Sequence, residues 1–362
     1  MLAGQSNMEG MGDLTGAETP HPKVRVFGMN GRWSRAAEPL HWLLDSPDHV
    51  HWWGMTKAQR DRALPSSRRN RTRGAGLGLT FAKRLVEATG VPVGLIPCAH
   101  GGTNMDQWDP AKRGEGGASL YGSLLRSVRA AGGRIAGVLW YQGESEGFET
   151  TPSPFLPRFL ALVAALRKDV GPADLPFLYV QIGRVVDAWG IPPSRWSQIR
   201  ELQRQALTKL RHAAMVTAID LPLDDAIHVA TPGLKLLGER LAKQALRLRF
   251  GRMRPRPGPT LERARVEGKG RALVRVTFGG VNGRLLPAFR VGGFSVRDAA
   301  EKDLLLVYEA LPDPRRPADV LVRLRDRLPA RATLWHGWGL DPFCHLADAE
   351  GLAAPAFGPI PL

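Results

Sequence analysis

Between residues 24 and about 248, short apolar runs alternate with longer amphipathic stretches, a rhythm that few architectures accommodate. Val24 to Phe27, Val93 to Cys98, Ile135 to Tyr141, Phe177 to Ile182 and Ala214 to Ile219 predict strands. Leu77 to Thr89, Leu120 to Ala131, Phe155 to Lys168, Arg195 to Arg211 and Pro232 to Leu248 predict helices, the last with Thr231 as N-cap and Pro232 at its first position. Strand and helix in turn imply an α/β fold with a mainly parallel sheet covered on both faces. In such a sheet, sites form at the carboxyl ends of the strands.

The rhythm stops near Gly251. Residues 251–259 are rich in Arg, Pro and Gly, and beyond them come alternating runs such as Ala272 to Phe278 and Asp319 to Leu324. This predicts a large domain over residues 1–250, a linker over 251–259 and a small β-rich domain over 260–362.

Composition narrows the possible functions. The 43% of apolar and 23% of charged residues are ordinary for a globular chain, and no run reaches the length a membrane span needs. Cys98 and Cys344 lie far apart, which disfavours a disulfide framework or a thiolate metal site; Cys98 reads as a buried strand thiol. The net charge of +16 is densest in Arg68-Arg69-Asn70-Arg71-Thr72-Arg73 and from Arg247 to Arg256. Those runs lack the interleaved aromatics of a nucleic-acid face, so they read as a solvated loop and linker, and nucleic acid is not expected as a partner.

Four polar blocks then stand out. Gly4-Gln5-Ser6-Asn7 puts a serine where a short apolar stretch ends, and His100-Gly101-Gly102-Thr103-Asn104 and Trp140-Tyr141-Gln142-Gly143-Glu144-Ser145 each follow a predicted strand. Asp225-Ala226-Ile227-His228 sets a carboxylate three residues before an imidazole. By itself Ser6 reads as a turn-former or cap. A serine becomes a nucleophile only when a base takes its proton and donors stabilise the oxyanion, and the other blocks carry groups of both kinds.

Together these blocks resemble, in content and order, the SGNH (GDSL-like) hydrolases. More narrowly they are similar to the carbohydrate acetylesterases related to sialate O-acetylesterase and acetylxylan esterase. Glu38-Pro39-Leu40-His41, Pro97 to Thr103 and Leu139 to Glu144 are close to that family's wording, and Trp335-His336-Gly337-Trp338-Gly339 onward is similar to its β-rich tail. The resemblance implies a flavodoxin-like three-layer sandwich. It also implies an acyl-enzyme route that removes O-acetyl groups from a carbohydrate without metal or organic cofactor. Carried over residue by residue, Ser6 is the nucleophile, His228 the general base and then acid, and Asp225 its orienting partner. The oxyanion hole maps to the N–H of Ser6, the N–H of Gly101 or Gly102 and the side-chain amide of Gln142. Asn7, Thr103, Trp108 and Glu144 are the expected substrate-binding residues; Trp108 would offer its indole to a sugar face, and Glu144 is better suited to bracing its own loop by hydrogen bonds.

Other readings compete. Gly143-Glu144-Ser145-Glu146-Gly147 matches the nucleophile elbow of α/β-hydrolases, although two carboxylates would oppose an oxyanion there and Thr150 to Pro157 is a poor helix start behind it. Asp224, and more remotely Asp220, could replace Asp225 if the loop register differed. Gly74-Ala75-Gly76-Leu77-Gly78 reads as close packing at a helix start rather than a phosphate turn. His41, His49 and His51 beside Trp42, Trp52 and Trp53 read as loop packing rather than metal binding or sugar stacking. Only Met1-Leu2-Ala3 precede Gly4, a stub where this family has its innermost strand; a start assigned too late is the expectation, with a secreted or periplasmic location if a leader is missing and a cytoplasmic one otherwise. A non-catalytic carbohydrate-binding protein on an esterase scaffold is the alternative function. The oligomeric state is not fixed by the sequence.

Overall fold

The innermost strand is short. In the computed structural model, which describes residues 1–362 apart from 70, 149–153, 187–188, 253–254, 269 and 271, β1 is Leu2–Gly4. Of the sequence readings, Asn70 in the arginine run, Thr150 to Ser153 behind Ser145 and Met253-Arg254 in the linker lie outside the described residues. The short strands β2 (Gly12–Asp13) and β5 (Arg73–Ala75) pair with each other. The sheet itself is built from β3 (Val24–Phe27), β4 (Trp33–Arg35), β6 (Val93–Leu95), β7 (Val138–Tyr141), β8 (Phe177–Gln181) and β9 (Ala213–Thr217) around β1. Parallel pairing runs in the order β1-β7-β8-β9. On its other side β1 bonds the segment that follows β6: Leu2 N–H donates to Ile96 O at 2.9 Å, Cys98 N–H to Leu2 O at 2.8 Å and His100 N–H to Gly4 O at 3.0 Å. β6 pairs in parallel with β3, whose outer neighbour β4 is antiparallel.

The central strands β1, β7 and β8 are almost continuously apolar and wholly buried, as a sheet covered on both faces requires, whereas the edge strand β4 is exposed. The helices are α1 (Ser6–Glu9), α2 (Lys57–Arg69), α3 (Gly78–Thr89), α4 (Leu120–Ala130), α5 (Glu144–Phe148), α6 (Phe155–Val170), α7 (Pro193–Lys209) and α8 (Thr231–Phe250). α3 packs on α8, while α4, α6 and α7 form a second group, and both groups contact the sheet. The five predicted helices are present within about two residues of their expected ends, whereas the strands predicted over Val93 to Cys98 and Ile135 to Tyr141 are shorter than their apolar runs. One apolar cluster extends through this part of the chain from Met1 to Leu246, with Val24, Val26 and Phe27 of β3 among its members, and takes in Leu340.

Two local expectations are corrected. The basic segment before Asn70 is helical, not loop; α2 buries none of its residues, so it shows no apolar periodicity to read, and it is held by polar contacts such as Arg60 Nε to Leu44 O at 2.6 Å. α8 begins one residue early, with Ala230 as its cap, because the Thr231 hydroxyl donates to Asp13 O at 2.5 Å instead of capping.

Beyond Gly251, antiparallel strands form a four-stranded sheet (Thr260–Glu267, Leu273–Gly279, Asp319–Leu324, Val307–Pro312) and a three-stranded one (Phe294–Arg297, Thr333–His336, Phe357–Pro361). Val274, Val276 and Phe278 alternate inward with Val320, Val322 and Leu324 into a second apolar cluster. Arg200 of α7 joins the two parts. Fully buried, it donates to Gly183 O at 2.6 Å on one side and to Gly337 O at 3.0 Å and Gly339 O at 2.5 Å on the other.

Candidate active site

All four polar blocks lie just past the carboxyl ends of β1, β6, β7 and β9. Gly4 makes the delivery of Ser6 possible: it sits at φ +130°, and a Cβ there would overlap the Tyr141 carbonyl. Gln5 N–H donates to that same carbonyl at 2.9 Å, and the chain turns directly into α1 with Ser6 as its first residue.

Ser6 Oγ lies 3.0 Å from His228 Nε2, and His228 Nδ1 lies 2.8 Å from Asp225 Oδ2. Asp225 is held in turn. Its Oδ1 accepts the backbone N–H groups of Ile227 and His228 at 3.0 and 2.8 Å, and Arg73 Nη1 reaches Oδ2 at 2.7 Å. Partial burial pushes the Asp225 carboxyl up, but those two N–H groups, the His228 ring and Arg73 outweigh it and hold the group well below the usual carboxylate range. The competing carboxylates are elsewhere: Asp224 accepts Asp13 N–H at 3.1 Å, and Asp220 pairs with Arg240 at 2.6 Å. Ser145, on α5, also borders the cavity, but the imidazole that an elbow nucleophile would need is bonded to Ser6.

The remaining residues of the first block hold the loops together. Gln5 Oε1 accepts the N–H groups of Gly143 and Ser145, both at 3.3 Å. Asn7 is expected at the substrate, but it is buried: its Nδ2 donates to Glu144 Oε1 at 2.8 Å and Ile227 O at 3.3 Å, and its Oδ1 accepts Val229 N–H at 3.0 Å.

Three further expectations change in the same direction, and of its two readings Glu144 takes the bracing one. Gln142 is wholly buried, and its two amide hydrogens go to Thr103 O and Glu146 Oε2, so neither reaches the cavity as an oxyanion donor. Thr103 is buried as well, donating to His100 O at 2.8 Å and accepting from Trp108 Nε1 at 3.0 Å. Trp108 has no exposed surface and meets Trp140 edge-on at 5.3 Å, so no sugar reaches its indole. Glu144 is buried on Asn7, and burial pushes its carboxyl up to about 7. These side chains support the loops from beneath. Sequence order cannot separate such a residue from one facing the ligand, because both sit in the same strand-end block.

The cavity over Ser6 has a volume of about 480 Å³. Its walls include Trp53, Met11, Phe148, Trp189 and Ile227, with Glu9, Gly101 and Gly102 beside Ser6 and His228. Gly101 N–H is already bonded to Glu9 Oε2 at 2.9 Å, whereas among the described residues no acceptor takes the N–H of Gly102 or of Ser6. Gly102 is exposed at φ +66° with open space where a Cβ would stand, so conformation rather than crowding calls for glycine there. Burial pushes the Glu9 carboxyl up to about 7, against the opposing pull of Gly101 N–H and Arg71. Sequence reasoning missed Glu9, Met11, Arg73, Phe148, Trp189 and Ile227; only the three tryptophans around His41 to His51 signalled Trp53, and those read as packing. Among the described residues no cluster of His, Cys, Asp and Glu has the geometry of a metal site, and no helix is long and apolar enough to cross a membrane.

Comparison with known proteins gives consistent matches. Residues 1–247 match the family described as carbohydrate esterase, sialic acid-specific acetylesterase. A probable carbohydrate esterase of Arabidopsis thaliana, At4g34215, is 29% identical over 272 residues, covering 68% of this chain and 89% of that protein. The crystal structure of the Arabidopsis protein superposes with a TM-score of 0.51 at 27% identity, over 68% of this chain and 95% of that one. The crystal structure of XAC1771, described as a novel carbohydrate acetylesterase from Xanthomonas citri, superposes with a TM-score of 0.70 at 24% identity, over 98% of this chain and 78% of that one, a shared fold that includes the C-terminal β region.

Proposed function

The chain belongs to the carbohydrate esterase family of sialic acid-specific acetylesterases and is a carboxylic ester hydrolase, and from that premise we propose that it removes O-acetyl groups from a carbohydrate through an acyl-enzyme on Ser6. The observation that carries this reading is the hydrogen-bonded line Ser6 Oγ, His228 Nε2, His228 Nδ1, Asp225 Oδ2, with Ser6 and His228 bordering the cavity. In this reading the fold is the three-layer core of an SGNH hydrolase with a β-rich accessory domain.

Ser6 Oγ attacks the acetyl carbonyl carbon as His228 Nε2 takes its proton, and Asp225 stabilises the imidazolium that forms. The oxyanion is received by the N–H groups of Ser6 and Gly102, which are fixed in place and carry no charge that titrates. When the tetrahedral adduct collapses, the sugar oxygen leaves with the proton from His228. Water, deprotonated by the same imidazole, then attacks the acetyl-serine, and acetate departs. The aromatic walls suit a sugar ring as the alcohol part of the ester.

The test is acetate release from acetylated glycosides and from p-nitrophenyl acetate by wild type, Ser6→Ala, Asp225→Ala and Ser145→Ala. The expected result is loss of roughly three orders of magnitude or more in the Ser6 variant with most activity kept in the Ser145 variant. The opposite pattern would make Ser145 the nucleophile.

A further inference from the structure

Trp53 combines three properties that a packing residue does not need. Its indole is 55% exposed at the rim of the cavity that holds Ser6. Its backbone sits at φ +55°, a left-handed conformation that strains a bulky residue. On one side the ring nevertheless packs against His100, centroid to centroid 4.3 Å at a tilt of 48°.

The support beneath it is a buried polar chain unconnected with the triad. Asp48 Oδ1 pairs with Arg126 at 2.9 Å, and its Oδ2 accepts the Ser123 hydroxyl at 2.7 Å. Since that hydroxyl hydrogen is committed, Ser123 Oγ accepts from His51 Nε2 at 3.1 Å; His51 Nδ1 is then bare and accepts from His100 Nδ1, also at 3.1 Å. Each ring is thereby fixed in one neutral tautomer. Burial keeps them so, pushing His51 down to about 3 and His100 to about 4. His51 and His100 stack at 5.2 Å, and the tilted indole abuts the His100 ring.

The placement relative to the nucleophile is close. A methyl group on Gly101 would stand 3.4 Å from Ser6 Cβ and 3.6 Å from Trp53 Cη2, so the indole edge and Ser6 flank the same glycine. Phe148 and Trp189, edge to face at 5.5 Å and both exposed, provide other aromatic walls. Strain retained at an exposed aromatic is explained when a ligand uses that aromatic.

We infer that Trp53 is the platform on which the pyranose ring carrying the scissile acetyl group stacks, and so the residue that makes the site prefer sugar esters over other acetates. This rests on the esterase reading above and deepens it. The apolar C–H face of a pyranose covers an indole and leaves the ring hydroxyls free at its edge, where Ser6 meets the ester.

The experiment compares kcat and KM for an acetylated methyl pyranoside and for ethyl acetate, which has no ring to stack, in wild type, Trp53→Ala, Trp53→Phe and Trp53→Gly. Trp53→Ala lowers kcat/KM for the pyranoside about tenfold or more beyond its effect on ethyl acetate, chiefly through KM, and Trp53→Phe restores most of the difference. Trp53→Gly shows the same loss of selectivity while melting above Trp53→Ala, because glycine accepts the left-handed backbone. Equal losses on both esters, or no loss on either, would overturn the assignment. If wild type releases acetate from neither ester, the esterase reading fails, and calorimetric binding of the pyranoside to wild type and Trp53→Ala decides the platform separately: tenfold weaker binding upholds it and equal binding overturns it.

Discussion

Asn7 Oδ1 accepts the backbone N–H of Val229 at 3.0 Å, which ties the residue after Ser6 to the residue after His228. The two sides of the 3.0 Å bond between Ser6 and His228 are thus registered by a buried amide that touches neither reacting atom. Asn7→Ala leaves Glu144 Oε1, Ile227 O and Val229 N–H without this partner. The predicted outcome is a fall of ten- to a hundredfold in kcat with little change in KM, and a loss of about 1–3 kcal/mol in urea unfolding. A variant that melts lower but keeps wild-type kcat would show that Asn7 serves the fold alone.

Asp225 fixes the tautomer of His228 by taking Nδ1–H, and Arg73 bonds the same Oδ2. Asp225→Asn preserves shape but can present an N–H to Nδ1, so kcat should fall by roughly three to four orders of magnitude. Arg73→Ala removes only a half-exposed neighbour, and its effect should stay near tenfold or below. Steady-state kinetics on both variants test the ordering; a larger loss in the Arg73 variant would contradict it.

Glu9 lines the cavity beside the N–H groups proposed to receive the oxyanion. Its group is pushed up to about 7 by burial, so it gains negative charge as pH rises through neutrality. That charge opposes an oxyanion forming near Gly101 and Gly102. Glu9→Gln keeps an acceptor for Gly101 N–H and adds no charge, so kcat/KM of the variant should exceed wild type above pH 8 and converge with it below about pH 6. Parallel profiles for the two proteins would refute the electrostatic role.

Burial also raises Glu38 and Glu144 to about 7, from an ordinary 4.5. A carboxyl whose folded value is raised binds a proton in the folded chain that the unfolded chain has already lost. Stability therefore falls as pH rises from about 4.5 to 7, with each such group contributing a slope of up to about 1.4 kcal/mol per pH unit. Asp225 acts oppositely, and its contribution disappears as pH falls below the ordinary 3.8. Glu144→Gln retains an acceptor for Asn7, and urea unfolding at pH 5, 6 and 7.5 should show a shallower decline than wild type. An unchanged slope would mean that Glu144 ionises normally in the fold.

Periodicity carried most of the fold. The five strands and five helices of the large apolar part were legible because buried faces repeat at fixed spacing, and the position of the four blocks at strand ends followed from the same pattern. α2 was not legible, since a helix that buries nothing leaves no stripe in the sequence. Within the site, Ser6, Asp225 and His228 were readable from residue type and order, and the structure brings them together. The direction in which a side chain points was not readable: Gln142, Thr103, Trp108, Asn7 and Glu144 share the blocks of the site yet face inward, while Trp53 and Trp189, outside those blocks, line the cavity.

Ser6 is the group proposed to take the acetyl. Acid quenching during turnover of p-nitrophenyl acetate, followed by digestion and peptide mass spectrometry, locates the acyl group directly. Acetylation of the amino-terminal peptide at Ser6, and its absence together with loss of turnover in Ser6→Ala, is the predicted result. Acetyl on the peptide containing Ser145, or undiminished turnover in Ser6→Ala, would contradict it.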